Sequence, residues 1–153
     1  MNTKRDIVDH AAQDANLWLR KLTEKLPGAD RHDAYLALRA VLHALRDRVG
    51  PENSVHLGAQ LPTLIRGIFY EAWRPAGTPT HERHRDEFLA HVGRELAAWP
   101  GLDVETAVRA VFRLLWEQID AGEVQKLMLD FPEDLQVYWQ DDRPVPGRAS
   151  LLQ

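Results

Sequence analysis

His84, Glu87 and His91 stand at i, i+3 and i+7, which puts all three on one face of a helix, with His81 one turn earlier. Two imidazoles and a carboxylate are ligands for zinc, nickel or iron. The set is one-sided, because no second segment offers a matching group. There is no HExxH motif, and no ExxH pair recurs on facing segments, so a di-iron carboxylate bundle is disfavoured. A solvated helix face accounts for the same three residues, and metal binding is kept as an alternative.

Arg66, Tyr70, Trp73 and Arg74 form a second group. Arg66 and Tyr70 are i,i+4 neighbours, as are Phe69 and Trp73. A helix here turns Phe69 and Trp73 to the core and leaves Arg66, Tyr70 and Arg74 on the other side. Tyrosine, tryptophan and arginine anchor interfaces, so these four are the candidate binding residues. The plainer reading is core packing, with Arg66 paired to a carboxylate.

Other combinations reduce to structure. Glu133 and Asp134 follow Pro132 in a first helical turn, where the helix dipole favours acids. Ser54 and Ser150 sit in no nucleophile motif, and the chain has neither a P-loop nor a dinucleotide fingerprint. Gly67 inside a helix costs about 1 kcal/mol against alanine and reads as a close helix crossing. No catalytic residues and no cofactor are assigned.

The elements that must hold these groups are all helical. Val8, Ala11, Ala12, Ala15, Trp18, Leu19, Leu22 and Leu26 recur with helical period, predicting a helix from Asp6 to Leu26 that ends at Pro27-Gly28. A second is expected from Asp33 to Val49, stopped by Gly50-Pro51. A short helix near 52–60 follows, and Pro62 opens the next, striped by Leu61, Leu64, Ile65, Ile68, Phe69 and Trp73. The Pro- and Gly-rich run 74–79 breaks the chain. Phe88, Leu89, Val92 and Leu96 mark a further helix, and Val104 to Ile119 another. Asp120 to Glu123 has capping-box spacing ahead of a short helix, and Pro132 opens the last one. No segment alternates like a strand.

Residues 33–69 align without a gap on residues 103–139 at an offset of 70. Asp33, Ala37, Arg39, Ala40, Val41, Leu45, Leu57 and Pro62 are identical to Asp103, Ala107, Arg109, Ala110, Val111, Leu115, Leu127 and Pro132. Upstream, Trp18, Leu19, Leu22 and Leu26 fall on Phe88, Leu89, Val92 and Leu96. The expected architecture is therefore all-α, with six to eight helices in two tandem copies packed with pseudo-two-fold symmetry. It reads as one domain over 6–140, comprising repeats at about 6–73 and 84–140, with a flexible C-terminal tail at 141–153. Arg39/Arg109 and Asp33/Asp103 are then expected as caps or reciprocal salt bridges between the copies. Gln136, Gln140 and Arg143 replace Arg66, Tyr70 and Trp73 in the second copy, which directs the search for a distinct role to the first.

AYLALRAVLHALRDRVGPENSVHLGAQLPTLIRGIFYEAWRPAGTP, from residue 34 onward, resembles the domain-of-unknown-function family DUF2267. The likeness rests on LRAVLHALRDR, on QLPTLIRGIFYEAW and on a second copy ending near Phe131-Pro132, and covers about 7–140. Family members carry YEGW where this chain has Ala72. The resemblance implies a small all-helical bacterial protein, often a single domain, with no established activity and no assigned site residues.

Composition sets the outer limits. The 153 residues include no cysteine, which excludes disulfides, thiol catalysis and thiolate metal sites. Asp6, Asp9 and Asp14 interrupt any leader-like run, and no apolar stretch is long enough for a membrane span, so a cytoplasmic protein without a membrane partner is expected. The net charge is −4, unfavourable for nucleic acid unless Arg20, Lys21, Lys25, Arg39, Arg46 and Arg48 gather into one basic patch. The leading reading is a non-catalytic helical module that binds a protein partner or forms a homodimer. A small-molecule or metal-binding protein and a nucleic-acid-binding protein are the alternatives; a conventional enzyme is the weakest.

Overall fold

A computed structural model describes residues 6–96 and 101–139, so the expectation of a flexible tail at 141–153 falls outside the described residues, as do Gln140 and Arg143. Helix α1, Ile7–Thr23, is capped by the Asp6 carboxylate, which accepts from the Val8 N–H at 3.3 Å. It stops short of Leu26, and the chain then turns through Gly28 at φ +78°. Its buried stripe is Ala15, Trp18 and Leu22; Ile7 and Val8 at its start are 81% and 65% exposed, so Val8 is no part of the core.

Helix α2, Arg31–Val49, starts earlier than Asp33 because a true capping box forms there. The Asp33 N–H donates to the Asp30 carboxylate at 2.8 Å, and the Asp30 N–H donates to that of Asp33 at 2.9 Å. This helix is buried nearly all round, which marks it as the central one. Gly50, at φ +86°, hands the chain to Pro51 at the first position of α3, Pro51–Ala59. Helix α4 is Thr63–Tyr70, followed by a short 3-10 turn at Pro75–Gly77.

Helix α5 is Arg85–Leu96 and α6 is Val104–Gln118. The Asp103 carboxylate caps α6 by accepting from the Thr106 N–H at 3.0 Å and its hydroxyl at 2.6 Å. At α7, Ala121–Asp130, the Asp120 side chain accepts from the Gly122 N–H at 2.8 Å, a local turn instead of the expected box with Glu123. The last element is a 3-10 helix, Glu133–Tyr138. The described residues contain no strand.

Helix α2 packs against α1, α3, α4, α5 and α6; α6 packs in turn against α1, α5, α7 and the last 3-10 helix. One continuous core joins them, with Leu22, Leu38, Leu42, Leu45, Ile65, Phe69, Phe88, Phe112, Leu114 and Leu115 sealed from solvent. Burying each such side chain contributes about 1.5–3 kcal/mol. Lys25 and Glu117, 2.8 Å apart, join the end of α1 to α6. The segment between α4 and α5 is strapped to the end of α2: the Thr80 N–H donates to the Asp47 carbonyl at 2.9 Å, and Arg48 Nε to the Glu82 carbonyl at 2.7 Å. Among the described residues no helix is long and apolar enough to cross a membrane.

Candidate functional site

The first candidate group is built around the end of α3. Arg66 Nε donates to the Gly58 carbonyl at 2.7 Å, and its Nη2 donates to the Leu61 carbonyl at 3.0 Å. The Gly58 carbonyl also accepts the Leu61 N–H at 3.1 Å, so Arg66 adds a side-chain donor to the closing turn of α3, in place of the carboxylate pairing expected from sequence. The Tyr70 hydroxyl donates to the Ser54 carbonyl at 3.4 Å, and its ring lies directly over Gly58. A methyl group on Gly58 would collide with that ring, whereas one on Gly67 would meet nothing within 4 Å. The close approach is therefore at Gly58, not at Gly67.

Helix α4 ends at Tyr70, so Arg74 does not extend the face of Arg66 and Tyr70. Glu71 (φ −54°, ψ 131°) and Ala72 (φ 57°) form a type II turn closed by the Trp73 N–H on the Tyr70 carbonyl at 3.2 Å. The second turn position calls for glycine; alanine there costs about 1–2 kcal/mol. This is the position where the YEGW signature has its glycine. Trp73 is half-buried with its ring 5.3 Å from that of Tyr70, and Arg74 is exposed.

Behind this group runs a buried polar seam on α2. Arg46, 4% exposed, donates from Nη1 to the carbonyls of Phe69 (2.9 Å) and Glu71 (2.7 Å), and from Nε to Asp47 at 2.8 Å. It thereby holds the end of α4 and its turn against α2. His43, 2% exposed, sets Nδ1 2.9 Å from Glu95 Oε1 and Nε2 2.7 Å from the Ile68 carbonyl. Both ring nitrogens face acceptors, so both bonds form together only on the imidazolium. An imidazole–carboxylate pair suggests a general base, but Nε2 is committed to backbone and leaves no nitrogen for a substrate proton. Arg39 reaches Glu71 at 2.9 Å and Glu95 at 3.5 Å. Burial pushes the Glu95 carboxyl up, but the His43 bond and the charges of His43, Arg39 and Arg46 outweigh it and hold the group below its ordinary value.

The proposed metal set is dispersed by the start of α5. That helix begins at Arg85, so His84 lies outside the face that the spacing assumed. His84 is exposed and reaches only Asp134, at 3.8 Å. His91 turns inward, with Nδ1 2.6 Å from Glu82 and Nε2 3.7 Å from Asp47. Burial raises the Glu82 carboxyl, yet the neighbouring Thr80 hydroxyl and His91 imidazole hold it below its ordinary value. Glu87 is exposed. Among the described residues no three metal-ligating side chains gather closely enough to hold an ion.

The basic residues considered for nucleic acid do not form one free patch. Lys25 is paired with Glu117, Arg39 with Glu71 and Glu95, and Arg46 is buried. Arg48 bonds the Glu82 carbonyl. Of the recurring residues, Asp33 and Asp103 both serve in caps, as expected. The salt bridges are not reciprocal: Arg39 reaches Glu95 on α5, whereas Arg109 pairs locally with Glu105 at 3.0 Å and lies over the Tyr138 ring.

Fold and site together define an all-α protein of about eight packed helices which, among the described residues, shows no grouping fit for a metal. The chain belongs to the family described as Uncharacterized conserved protein (DUF2267), whose family model matches residues 15–138. No curated protein matches it.

Sequence reasoning missed His43, Arg46 and Gly58. The signal for the first two was in α2 itself, where His43 and Arg46 are interleaved with Val41, Leu42, Ala44 and Leu45, a stretch whose apolar residues go right round the helix and leave no fully wet side. Gly58 had no local signal, since its requirement comes from Tyr70 on another helix.

Proposed function

We propose that this chain is a non-catalytic helical module, a single domain over 6–140 made from two copies of one unit, which acts by binding a second copy of itself. The duplication is supported by order and by packing. At an offset of 70, α2, α3 and α4 correspond to α6, α7 and the last 3-10 helix. Helix α1 packs on α2 and α4, as α5 packs on α6 and that 3-10 helix; α5 packs on α2, as α1 packs on α6. A two-fold axis between α2 and α6 generates this pattern. Chemistry repeats too: Arg66 donates to the Leu61 carbonyl at 3.0 Å, and Gln136 to the Phe131 carbonyl at 3.0 Å.

One observation carries the functional reading. The side chains that could do chemistry, His43, Arg46, Arg66 and Tyr70, are already bonded to the fold's own backbone. Activity is then left to the surface, where half-buried Trp73 lies against the Tyr70 ring and Arg74 beside it is exposed. The charge balance favours a copy as partner: residues 1–76 carry 11 basic and 9 acidic side chains, and residues 77–153 carry 8 and 14. Light scattering between about 1 and 100 µM, a range that reads a micromolar dimer, tests this. A mass of twice 17.5 kDa is expected, falling to the monomer in Arg74→Glu and Trp73→Ala. A monomer throughout overturns the reading.

A further inference from the structure

We propose that the groove between α1 and the start of α2 is a binding site for a small hydroxylated oxyanion, a metabolite bearing a phosphate or carboxylate group. The groove encloses about 610 Å³ and is lined by Gln13, Asn16, Leu17, Arg20, Thr23 and Arg31. That volume falls in the range of small-molecule sites, about 300–1,000 Å³. Polar side chains predominate in its lining, where Leu17 is the one aliphatic residue among the described residues.

Charge selects the ligand class. The chain as a whole is acidic, yet among the described residues the lining holds two guanidinium groups and no carboxylate. Arg20 comes from the last turn of α1 and Arg31 from the first position of α2, so the two cations approach from different elements. Among the described residues neither makes an ion pair, in contrast to Lys25, Arg39, Arg46 and Arg109. Guanidinium presents a planar donor fork matched to phosphate or carboxylate oxygens.

The remaining groups read the rest of the ligand. The Thr23 hydroxyl spends its proton on the Arg20 carbonyl at 2.6 Å and keeps lone pairs to accept from a ligand hydroxyl. Gln13 and Asn16 offer both donors and acceptors one helical turn apart. The groove shares none of its lining residues with the surface at Trp73 and Arg74, and the inference does not depend on self-association.

The test is a titration of the full ¹⁵N-labelled chain with inorganic phosphate and, separately, with citrate, against sodium chloride at matched ionic strength. Saturable shifts are expected at the Gln13 and Asn16 side-chain amides and the Thr23 backbone amide, with a Kd below about 1 mM. Arg20→Gln and Arg31→Gln, both at exposed positions whose side chains make no bond among the described residues, should each weaken binding about tenfold. Arg85→Gln should leave it unchanged. Saturation by phosphate alone assigns a phosphorylated ligand, and saturation by citrate alone a carboxylate one. Shifts that stay linear to about 10 mM for both anions, or that survive both arginine substitutions, overturn the proposal.

Discussion

The two ends of the molecule that close onto the core, α4 with its turn and the 3-10 helix with Trp139, solve one problem with different chemistry. In the first, a buried arginine gathers carbonyls: Arg46 takes those of Phe69 and Glu71, and Arg66 takes those of Gly58 and Leu61. In the second, rings fill the space. Phe112 stacks on Trp139 at 4.1 Å and 18°, while Phe131 stands edge-on to both Phe88 and Phe112. The positions seventy residues earlier hold Leu42, Phe69, Leu61 and Trp18, two aromatic rings against the four here. Where the chain could gather hydrogen-bond donors, the closing element is an α-helix and a turn. Where it gathered aromatic area, a looser 3-10 helix suffices.

Substitutions that reverse this division sharpen it. Phe112→Ala should cost about 3–5 kcal/mol, the largest loss, because four rings lose a shared partner. Leu42→Ala should cost less in a urea midpoint measured on the same day; an equal cost breaks the comparison. Arg46→Met leaves the buried Phe69 carbonyl without its donor and frees that of Glu71, and should cost about 1–3 kcal/mol. A loss below about 0.5 kcal/mol would mean that the donors are dispensable in the first half too. Gly58→Ala should destabilise by about 1–3 kcal/mol through the Tyr70 ring, and Tyr70→Leu in the same chain should recover part of that loss.

Acid separates the halves by a route that touches no apolar contact. Glu82 and Glu95 are held below their ordinary value of 4.5. The stability they contribute is complete above that value and lost as pH falls through their lower folded values. Urea midpoints should therefore drop steeply below about pH 4. In Glu82→Gln/Glu95→Gln the drop should be shallower; an unchanged slope would assign acid sensitivity elsewhere. The smallest effect should be a gain. Ala72→Gly relieves the strained turn at the cost of unfolded-state entropy, for a net of about 0.5–1 kcal/mol more stability, read as a higher thermal midpoint.

The helices were legible because burial leaves a period in the chain. Trp18, Leu22, Leu38, Leu42, Phe88 and Val108 all lie inside where the period put them. Ends were harder. Helix α2 begins before Asp33 because Asp30 and Asp33 exchange bonds, and a two-residue shift of a cap leaves no mark on periodicity. Val8 matches the apolar period yet stands exposed at the start of α1. The site was least legible, since the roles of Arg66, Tyr70, His43 and His91 depend on carbonyls and carboxylates contributed by other helices. Ala72 is the exception: its departure from YEGW was visible in sequence, and the left-handed backbone at that position gives the physical reason for glycine.

Asp134 bears on how the chain comes together. Its carboxylate accepts the Arg85 N–H at 2.8 Å, so the first amide of α5 is satisfied by a residue from the far end of the described chain. The start of α5 is thus completed only after the last 3-10 helix has docked. A chain ending before Pro132 would leave that amide open to solvent, and its hydrogen exchange would run at the rate of a frayed end. In the intact protein the same amide reports whether the C-terminal element is in place.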